Sequence, residues 1–577
     1  MNLKPLFFGL IFLSGCQSGS PPPNTSERLS NILDQHQLFL KSEYPSMDSV
    51  YDRLPSMTQA DIDRRVDHAN ANLEKLQALD LDDLSFEETI SWELFKFIQE
   101  DQVQRHQFKD YLNPLLVDAG FHIGFAFLPA SYEFNSAADY ENYLKVLKSF
   151  PQYVDQHIDL LKQGLQLGIC QPQVILEGYE VTFDKHIVIN AEESLFYQPF
   201  LSFPNIISES DQDRLQDLAR QVVMDHVVAG YQSFSSFMKS DYMINTRTAT
   251  AAYDLPEGEA YYQQRINYYT TLQLTPDSIH QLGLQEVARI KAEMMKIIDE
   301  IEYLGSFEDF LAYLRTDAKF YAQTPKELLM TASYMAKKMD GKLPALFGKL
   351  PRQPYTVNPV PDHLAPKYTG GRYVEAREGS TKPGQYWVNT YALENRPLYV
   401  LEALTFHEAV PGHHLQTALT SELDHLPQFR QDLYLSAFGE GWGLYSEFLG
   451  LEAGFYQDPY SNFGRLTYEM WRACRLVVDT GIHAKRWTRQ EAMDYMADNT
   501  ALSLHEIGTE VDRYISWPAQ ALSYKIGELK IKALRKKAEA ALGKEFDVRE
   551  FHDLVLSQGT VTLPILKQMV DHYIEEK

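Results

Sequence analysis

The residue types best suited to catalysis lie between residues 405 and 416, which read TFHEAVPGHHLQ. His407, His413 and His414 offer imidazole nitrogens, which are common zinc ligands, and Glu408 stands directly beside the first of them. A familiar zinc motif places two histidines one helical turn apart, with a glutamate next to the first as general base. The whole chain has 17 histidines, so three within eight residues favour a metal site over a chance helix break.

The spacing of these histidines differs from that motif, because the second lies six or seven residues after the first. On an unbroken helix, residues six apart differ by roughly 120° in direction and about 9 Å in height, too far apart to share one ion. Pro411 lacks an N–H and Gly412 tolerates unusual dihedrals, so we expect an interrupted helix. Looping out two residues pairs His407 with His413, whereas looping out three selects His414. We favour His413 as the ligand, with His414 supporting the site or contacting substrate.

A third ligand is expected from residues 438–447, which read FGEGWGLYSE. Glu440 and Glu447 are seven residues apart, so on a helix they share nearly the same face. We predict that Glu440 binds the metal and that Glu447 hydrogen-bonds a ligating histidine and fixes its tautomer. Alternate glycines cost a helix about 1 kcal/mol each relative to alanine. The glycines at 439, 441 and 443 are therefore expected where this helix approaches another backbone closely.

This set predicts a zinc-dependent peptidase with one Zn²⁺ per chain. Zinc held by His407, His413 and Glu440 would activate a water molecule, and Glu408 would act as the general base. Two alternatives stay open: a non-catalytic periplasmic zinc- or peptide-binding lipoprotein, and a metal-dependent hydrolase of another amide or ester. The base beside the first ligand favours the peptidase. The sequence does not separate a carboxypeptidase from an oligopeptidase.

The elements that must position these residues are mainly helical. Apolar residues recur at three- and four-residue spacing over 59–79, 207–238, 277–302, 325–340 and 526–542. Prolines and glycines at 350–366 and 369–384 indicate loops around one small extended element. Residues 385–390 have the aromatic and β-branched character of a strand, which we expect to pair with an extended substrate. Pro397 is suited to the first turn of the helix that carries the motif.

A chain of 577 residues exceeds one ordinary hydrophobic core, so two lobes are expected. We therefore predict a mainly α fold: a large two-lobed helical shell with a small β-sheet at the rim of a central cleft. The formal net charge of -26 repels phosphate backbones, so nucleic acid is not an expected partner.

The N-terminus indicates export. Residues 6–13 form an apolar stretch of signal-peptide length, too short to cross a bilayer. The string Leu13-Ser14-Gly15-Cys16 resembles the lipobox of bacterial lipoproteins, which implies a lipidated Cys16 and cleavage just before it. Gln17 then favours the outer membrane of a Gram-negative bacterium, facing the periplasm. Contact with the membrane is expected through this lipid anchor only.

The predicted organisation is a signal peptide at 1–15, the lipidated cysteine and a flexible tether at 16–28, and a catalytic unit at 29–577. The motif-bearing part spans about 370–530. Only Cys170 and Cys474 remain after Cys16. Either they form a bridge, which an oxidising compartment allows, or they are two isolated buried thiols.

Several motifs together resemble a known family. The strings HEAVPGHHLQ, EGW and PAQALSYKIG (518–527), with LPEGEAYY at 255–262, are similar to the bacterial family of domain of unknown function 885 over nearly all of the mature chain. That family is distantly similar to helical gluzincin zinc peptidases, such as the thimet oligopeptidase and angiotensin-converting enzyme groups. Their pattern of a second glutamate one heptad after the ligand is matched here by Glu440 and Glu447. The insertion between the two histidines departs from it.

The peptidase resemblance implies further roles near the C-terminal part of the cleft. Tyr524 is the first choice for the tyrosine that donates to the oxyanion, and Tyr514 is the second. His505 is a possible substrate contact, and Arg513 is suited to holding a carboxylate. His483 is interpreted as a structural histidine.

Overall fold

The computed structural model describes residues 23–47, 50–362, 364–376 and 382–577. The fold is mainly helical with one small sheet, as predicted. The helices of the first part of the chain are α1 (Thr25–Glu43), α2 (Gln59–Gln77), α3 (Phe86–Gln107), α4 (Phe121–Ala126), α5 (Leu128–Ser131), α6 (Ala137–Leu167), α7 (Glu209–Val222), α8 (Ala229–Phe237) and α9 (Met243–Asn245). A π-helical turn, Val223–Val228, joins α7 to α8.

The middle of the chain continues with α10 (Gly258–Thr270), α11 (Pro276–Glu300), α12 (Phe307–Thr316), α13 (Pro325–Asp340) and α14 (Leu343–Leu346). After the sheet come α15 (Leu401–Glu408), α16 (His413–Thr420), α17 (Gln428–Gln431), α18 (Ser436–Glu452), α19 (Pro459–Lys485), α20 (Arg489–Asn499), α21 (Leu504–Ser516), α22 (Ser523–Leu542), α23 (Val548–Leu556) and α24 (Leu563–Glu576). The five helical segments predicted from periodicity all lie on helices. Pro397 precedes a short 3₁₀ turn, Leu398–Val400, that leads into α15.

The sheet has three strands in the order β1-β3-β2: β1 is Tyr355–Pro359, β2 is Gly371–Val374 and β3 is Gly384–Val388. Strand β1 is parallel to β3, and β2 is antiparallel to it. The predicted strand at 385–390 is therefore β3, but both of its edges are already paired. The expectation that it pairs with a substrate is wrong, because no backbone group is left for an added strand. Strands β1 and β2 lie in the regions predicted as loops.

The helices that carry the predicted site pack closely because glycine faces glycine. A Cβ on Gly441 of α18 would lie 2.6 Å from the Cα of Gly527 on α22, so no larger residue fits there without displacing a helix. The glycine-rich stretch of α18 therefore has the role that its sequence indicated. The largest hydrophobic cluster includes residues from Leu29 to Val570, and both helices contribute to it.

The N-terminal helix corrects one predicted boundary. Helix α1 begins at Thr25, where the Asn24 side chain accepts the N–H of Glu27 at 2.8 Å, so residues 25–28 belong to a helix rather than to the tether. Cys16 and the signal peptide lie outside the described residues. Cys170 and Cys474 are buried free thiols, so the predicted alternative of a bridge does not hold. Over the described ranges, no helix combines the length and the apolar character that crossing a membrane needs.

Candidate metal centre

The break between α15 and α16 brings the motif histidines together. Helix α15 ends at Glu408 and α16 begins at His413, with a cis Val410–Pro411 peptide between them. Gly412 packs so closely on the backbone of α15 that a Cβ there would overlap the carbonyl oxygens of Phe406 and His407. The indole N–H of Trp442 donates to the Pro411 carbonyl at 2.9 Å, which ties the break to α18.

His407, His413 and Glu440 converge at this break, as their sequence positions predicted. One ligand atom from each lies within 4.8 Å of the other two. The Nε2 atoms of His407 and His413 are 3.4 and 3.5 Å from Oε2 of Glu440. The two imidazole rings stand nearly perpendicular, 4.8 Å apart. Two imidazoles and one carboxylate form a donor set that suits zinc and leaves a fourth position open.

Glu447 supports the first histidine from behind. Its Oε1 atom lies 2.8 Å from Nδ1 of His407, and both side chains are buried. This hydrogen bond fixes a tautomer in which Nε2 faces Glu440 and can bind a metal. Arg472 of α19 lies 3.5 Å from the same carboxylate oxygen and balances its charge. The sequence analysis did not predict a role for Arg472, because this residue lies on a separate helix with no motif around it.

Glu408 is held by the sheet. Its Oε2 atom accepts the backbone N–H of Tyr373 at 2.7 Å, on the outer edge of β2. This contact uses one carboxylate oxygen and leaves the other without a hydrogen bond from the described residues. Glu408 therefore follows His407 directly at the end of α15 and is tied to β2 through one oxygen.

His414 does not join the ligands. Its Nδ1 atom lies 3.1 Å from the Tyr373 hydroxyl and its Nε2 atom 3.1 Å from the Gln353 carbonyl. Burial lowers its pKa to about 4. Of the two histidines that the spacing left open, His413 is thus the one that converges with His407 and Glu440, and His414 connects α16 to the sheet.

Tyr524, the predicted oxyanion donor, lies beside His407. Its ring stacks on that of His407 at 6.5 Å with an angle of 20° between the planes. Its hydroxyl is 3.5 Å from an Nη atom of Arg513. The guanidinium of Arg475 lies over its ring, 4.2 Å from the ring centre. Arg513 also donates to Gln520 at 2.7 Å. A phenol at this position can donate a hydrogen bond toward the metal site.

The remaining predicted residues are not brought to the ligands. The hydroxyl of Tyr514 is buried and accepts the indole N–H of Trp471 and an N–H of Arg475, each at 2.9 Å. His505 lies exposed near the start of α21. His483 is buried between a backbone donor and a backbone carbonyl, which agrees with its interpretation as structural.

Tyr434 was missed by the sequence reasoning, and it contacts a ligand directly. Its hydroxyl donates to Oε1 of Glu440 at 2.9 Å. Its side chain is 47% exposed, yet burial raises the pKa of its hydroxyl well above the ordinary value. Tyr434 is thus open to solvent on one side and contacts the converging residues on the other. Only its distance of six residues from Glu440 signals it in the sequence.

Hydrogen bonds and opposite charges link the three converging groups. Burial favours a neutral imidazole, but hydrogen bonds to Glu440 and Glu447 raise the pKa of His407 to about 10. Burial also favours a neutral carboxyl at Glu440, but both histidines hold its pKa well below the usual range. The three groups thus attract one another at a point where a cation would replace the shared protons.

Comparisons with known proteins place the chain in one family. The model of a family described as a bacterial protein of unknown function, DUF885, matches residues 42–570. A crystal structure of a protein from Colwellia psychrerythraea with a provisional lipoprotein name has 26% sequence identity and a TM-score of 0.89, covering 96% of this chain and 100% of that one. A protein of unknown function from Shewanella oneidensis, also provisionally named a lipoprotein, has 17% identity and a TM-score of 0.71, covering 95% and 100%. A comparison with curated proteins found no match.

Proposed function

The chain belongs to the DUF885 family of bacterial proteins, and we propose that it is a zinc-dependent peptidase that hydrolyses peptide bonds. The observation that carries this proposal is the convergence of His407, His413 and Glu440 within 4.8 Å. Glu408 beside the first ligand adds the base that hydrolysis needs and that simple metal storage does not. The family description assigns no activity, so the proposal rests on the site itself.

The three converging residues would hold the metal, and their donor atoms fit zinc. His407 and His413 would bind it through Nε2 and Glu440 through Oε2. A zinc ion here would supply the Lewis acidity that lowers the pKa of water toward neutrality. Glu447 orients His407 for this purpose, and Arg472 lies 3.5 Å from the same carboxylate oxygen of Glu447.

Glu408 and Tyr524 have the two remaining chemical roles. Glu408 takes the proton of the attacking water and delivers it to the leaving amine, since one of its oxygens is free while Tyr373 holds the other. Tyr524 donates its hydroxyl proton toward the carbonyl oxygen that becomes negative in the transition state. Arg513 and Arg475 hold its ring and hydroxyl in place.

The substrate would reach this site past the exposed side of Tyr434. The outer edge of β2 borders that site, where the N–H of Tyr373 holds Glu408. We also propose that the helices form a two-lobed, peptidase-like arrangement with the sheet at the rim of a cleft.

The protein is proposed to act as an exported lipoprotein, anchored through Cys16 and facing the periplasm from the outer membrane. The resemblance of residues 13–16 to a lipobox supports this, as do the names of the two structural relatives. Replacing Cys16 by Ser should release the protein from the membrane fraction. Its retention there would contradict lipid anchoring.

The experiment that tests the function is metal analysis of the purified full chain together with digestion of a peptide library. We expect about one zinc per chain and cleavage that stops with a chelator and returns with added zinc. Cleavage that continues without metal would contradict the mechanism. Bound zinc without cleavage of any peptide would favour the non-catalytic binding protein, and cleavage of esters or other amides alone would favour another hydrolase.

A further inference from the structure

Arg372 projects from the strand that borders the metal ligands. It lies on β2 directly before Tyr373, whose N–H binds Oε2 of Glu408 at 2.7 Å. By standard backbone dimensions, the Cα of Arg372 is then within about 5 Å of that carboxylate oxygen. The side chain is exposed, and its cross-strand neighbour is Trp387. A long cationic side chain thus starts next to the proposed base.

Arg372 differs from the other arginines around the site in its charge balance. Each of those has a carboxylate partner: Arg475 with Glu510 at 2.8 Å, Arg513 with Glu510 at 3.6 Å and Arg472 with Glu447 at 3.5 Å. Within the described ranges, no carboxylate lies at ion-pair distance from the guanidinium of Arg372. Arg513, which the sequence predicted to hold a carboxylate, already shares one of its own helix.

Arg372 is exposed to solvent, yet its charge interacts with groups of the candidate site. Burial lowers its pKa, but the Tyr368 hydroxyl and the carboxylates of Glu408 and Glu440 raise it overall. Tyr368 packs beside Trp387 at 6.1 Å, so two rings flank the arginine. A permanent positive charge in such surroundings attracts an anion more strongly than one in open solvent.

We propose that Arg372 binds the free C-terminal carboxylate of a peptide substrate, and that the protein therefore removes residues from the carboxyl ends of peptides. This inference rests on the proposed peptidase function. A guanidinium offers two parallel N–H donors that match the two oxygens of a carboxylate. Because Arg372 starts beside Glu408, few residues fit between a bond at the metal ligands and a carboxylate held by Arg372.

Matched peptides test the ligand chemistry on the zinc-loaded full chain. One ends in a free carboxylate, the second has the same residues with a C-terminal amide, and the third is an amide with aspartate as its last residue. Loss of a charge-assisted hydrogen-bonded pair should lower kcat/KM by about 10- to 100-fold from the first to the second peptide. Equal rates for these two would overturn the proposal. Recovery of the full rate with the third would also overturn it, because a side-chain acid would then be the ligand.

Variants of Arg372 assign the effect to this residue. Arg372→Met should lower kcat/KM for the free acid to the level of the amide and leave the amide unchanged. Arg372→Lys should retain part of the preference, because it keeps the charge but not the paired donors. Arg220→Met on α7, which removes an exposed arginine paired with Glu192 at 2.7 Å, is the matched control. An equal decrease for both peptides in Arg372→Met would contradict the proposal.

Binding to the Glu408→Gln variant separates this inference from the peptidase function. Calorimetry with the free-acid and amide peptides measures the carboxylate preference without any turnover. If the free acid binds more tightly but the wild type cleaves no peptide, the carboxylate site is supported and the peptidase proposal is contradicted. Equal binding of the free-acid and amide peptides would contradict the carboxylate site, whatever the wild-type activity.

Discussion

Nδ1 of His407 lies 2.8 Å from Oε1 of Glu447, 40 residues further along the chain, and both side chains are buried. The other oxygen of Glu447 has no hydrogen-bond partner among the described residues. The carboxylate of Glu447 thus binds the Nδ1 edge of the imidazole, while Nε2 lies next to Glu440. It fixes which nitrogen is left to bind a metal.

Replacing Glu447 should therefore weaken metal binding without removing any ligand. Glu447→Gln is expected to lower zinc affinity by about 10- to 100-fold, the usual cost of losing the partner of a ligating histidine. The measurement is a competition titration with a chromogenic chelator. Glu452→Gln, at the end of the same helix where Glu452 pairs with Arg535 at 2.8 Å, is the matched control. Unchanged affinity in Glu447→Gln would contradict the orienting role.

Gly443 offers a steric test of the same imidazole. A Cβ at this position would lie 2.7 Å from Cε1 and 2.8 Å from Nε2 of His407. Gly443→Ala should push the ring away from Glu440 and lower the zinc content of the purified protein. Gly124→Ala is the control, because a Cβ at Gly124 meets nothing within 4 Å. Full zinc occupancy in Gly443→Ala, measured by metal analysis, would mean that the ring does not have to stay where it is.

The convergence of His407, His413 and Glu440 could be predicted from the sequence because each requirement was local. The break at Pro411 and Gly412 and the heptad between Glu440 and Glu447 lie within short segments. The choice between His413 and His414 needed the structure, since it depends on how many residues the break absorbs. Only the packing of Gly412 on the Phe406 and His407 carbonyls decides this.

Two of the residues that were missed, Arg472 and Arg372, act across long distances in sequence. Arg472 reaches Glu447 from α19, and Arg372 approaches the site through the pairing of β2 with β3. No short pattern marks either residue. The central position of β3 was likewise hidden, because β1 and β2 are short strands among prolines and glycines that resemble loops. Helices were easier to predict, since the periodic spacing of apolar residues can be recognised within each segment alone.

Glu408 and Glu440 are expected to separate catalysis from metal binding. Glu408→Gln should retain zinc, because Glu408 is not among the converging ligands, while kcat falls by about 100- to 10,000-fold with the loss of the base. Glu440→Ala should lose zinc together with activity. Metal analysis and peptide hydrolysis on both variants check this. Retained turnover in Glu408→Gln would remove the base assignment, and unchanged zinc in Glu440→Ala would remove the ligand assignment.

The two tyrosines of the site allow a test of the oxyanion donor. Tyr524→Phe should lower kcat by about 100- to 1,000-fold, the cost of losing one donor to a developing oxyanion. KM should change little, because the hydrogen bond is made mainly in the transition state. Tyr434→Phe is the control: its hydroxyl is already committed to Glu440 at 2.9 Å, so its loss should affect zinc affinity more than kcat. The reverse pattern of effects would assign the donor to Tyr434 instead.

His483 should give the protein a defined sensitivity to acid that is independent of the metal site. Its Nδ1 accepts the Ala252 N–H at 3.1 Å and its Nε2 faces the Tyr514 carbonyl at 2.9 Å, so only the neutral ring satisfies both contacts. Burial lowers its pKa from 6.5 to about 3. Between these values the unfolded state holds one proton more than the folded state. The free energy of unfolding therefore rises with pH in this window, by up to about 1.4 kcal/mol per pH unit.

The measurement is urea unfolding of the metal-free protein at pH 4.5 and pH 5.5. His407, with its pKa raised to about 10, is protonated in both states over this range and adds no slope. His483→Gln should lose stability at both values but show a smaller difference between them than the wild type, by about 1 kcal/mol. His572→Gln, which replaces an exposed histidine, should keep the wild-type difference. A slope in His483→Gln equal to that of the wild type would mean that His483 already carries a proton in the folded protein, and that the Ala252 N–H has another acceptor.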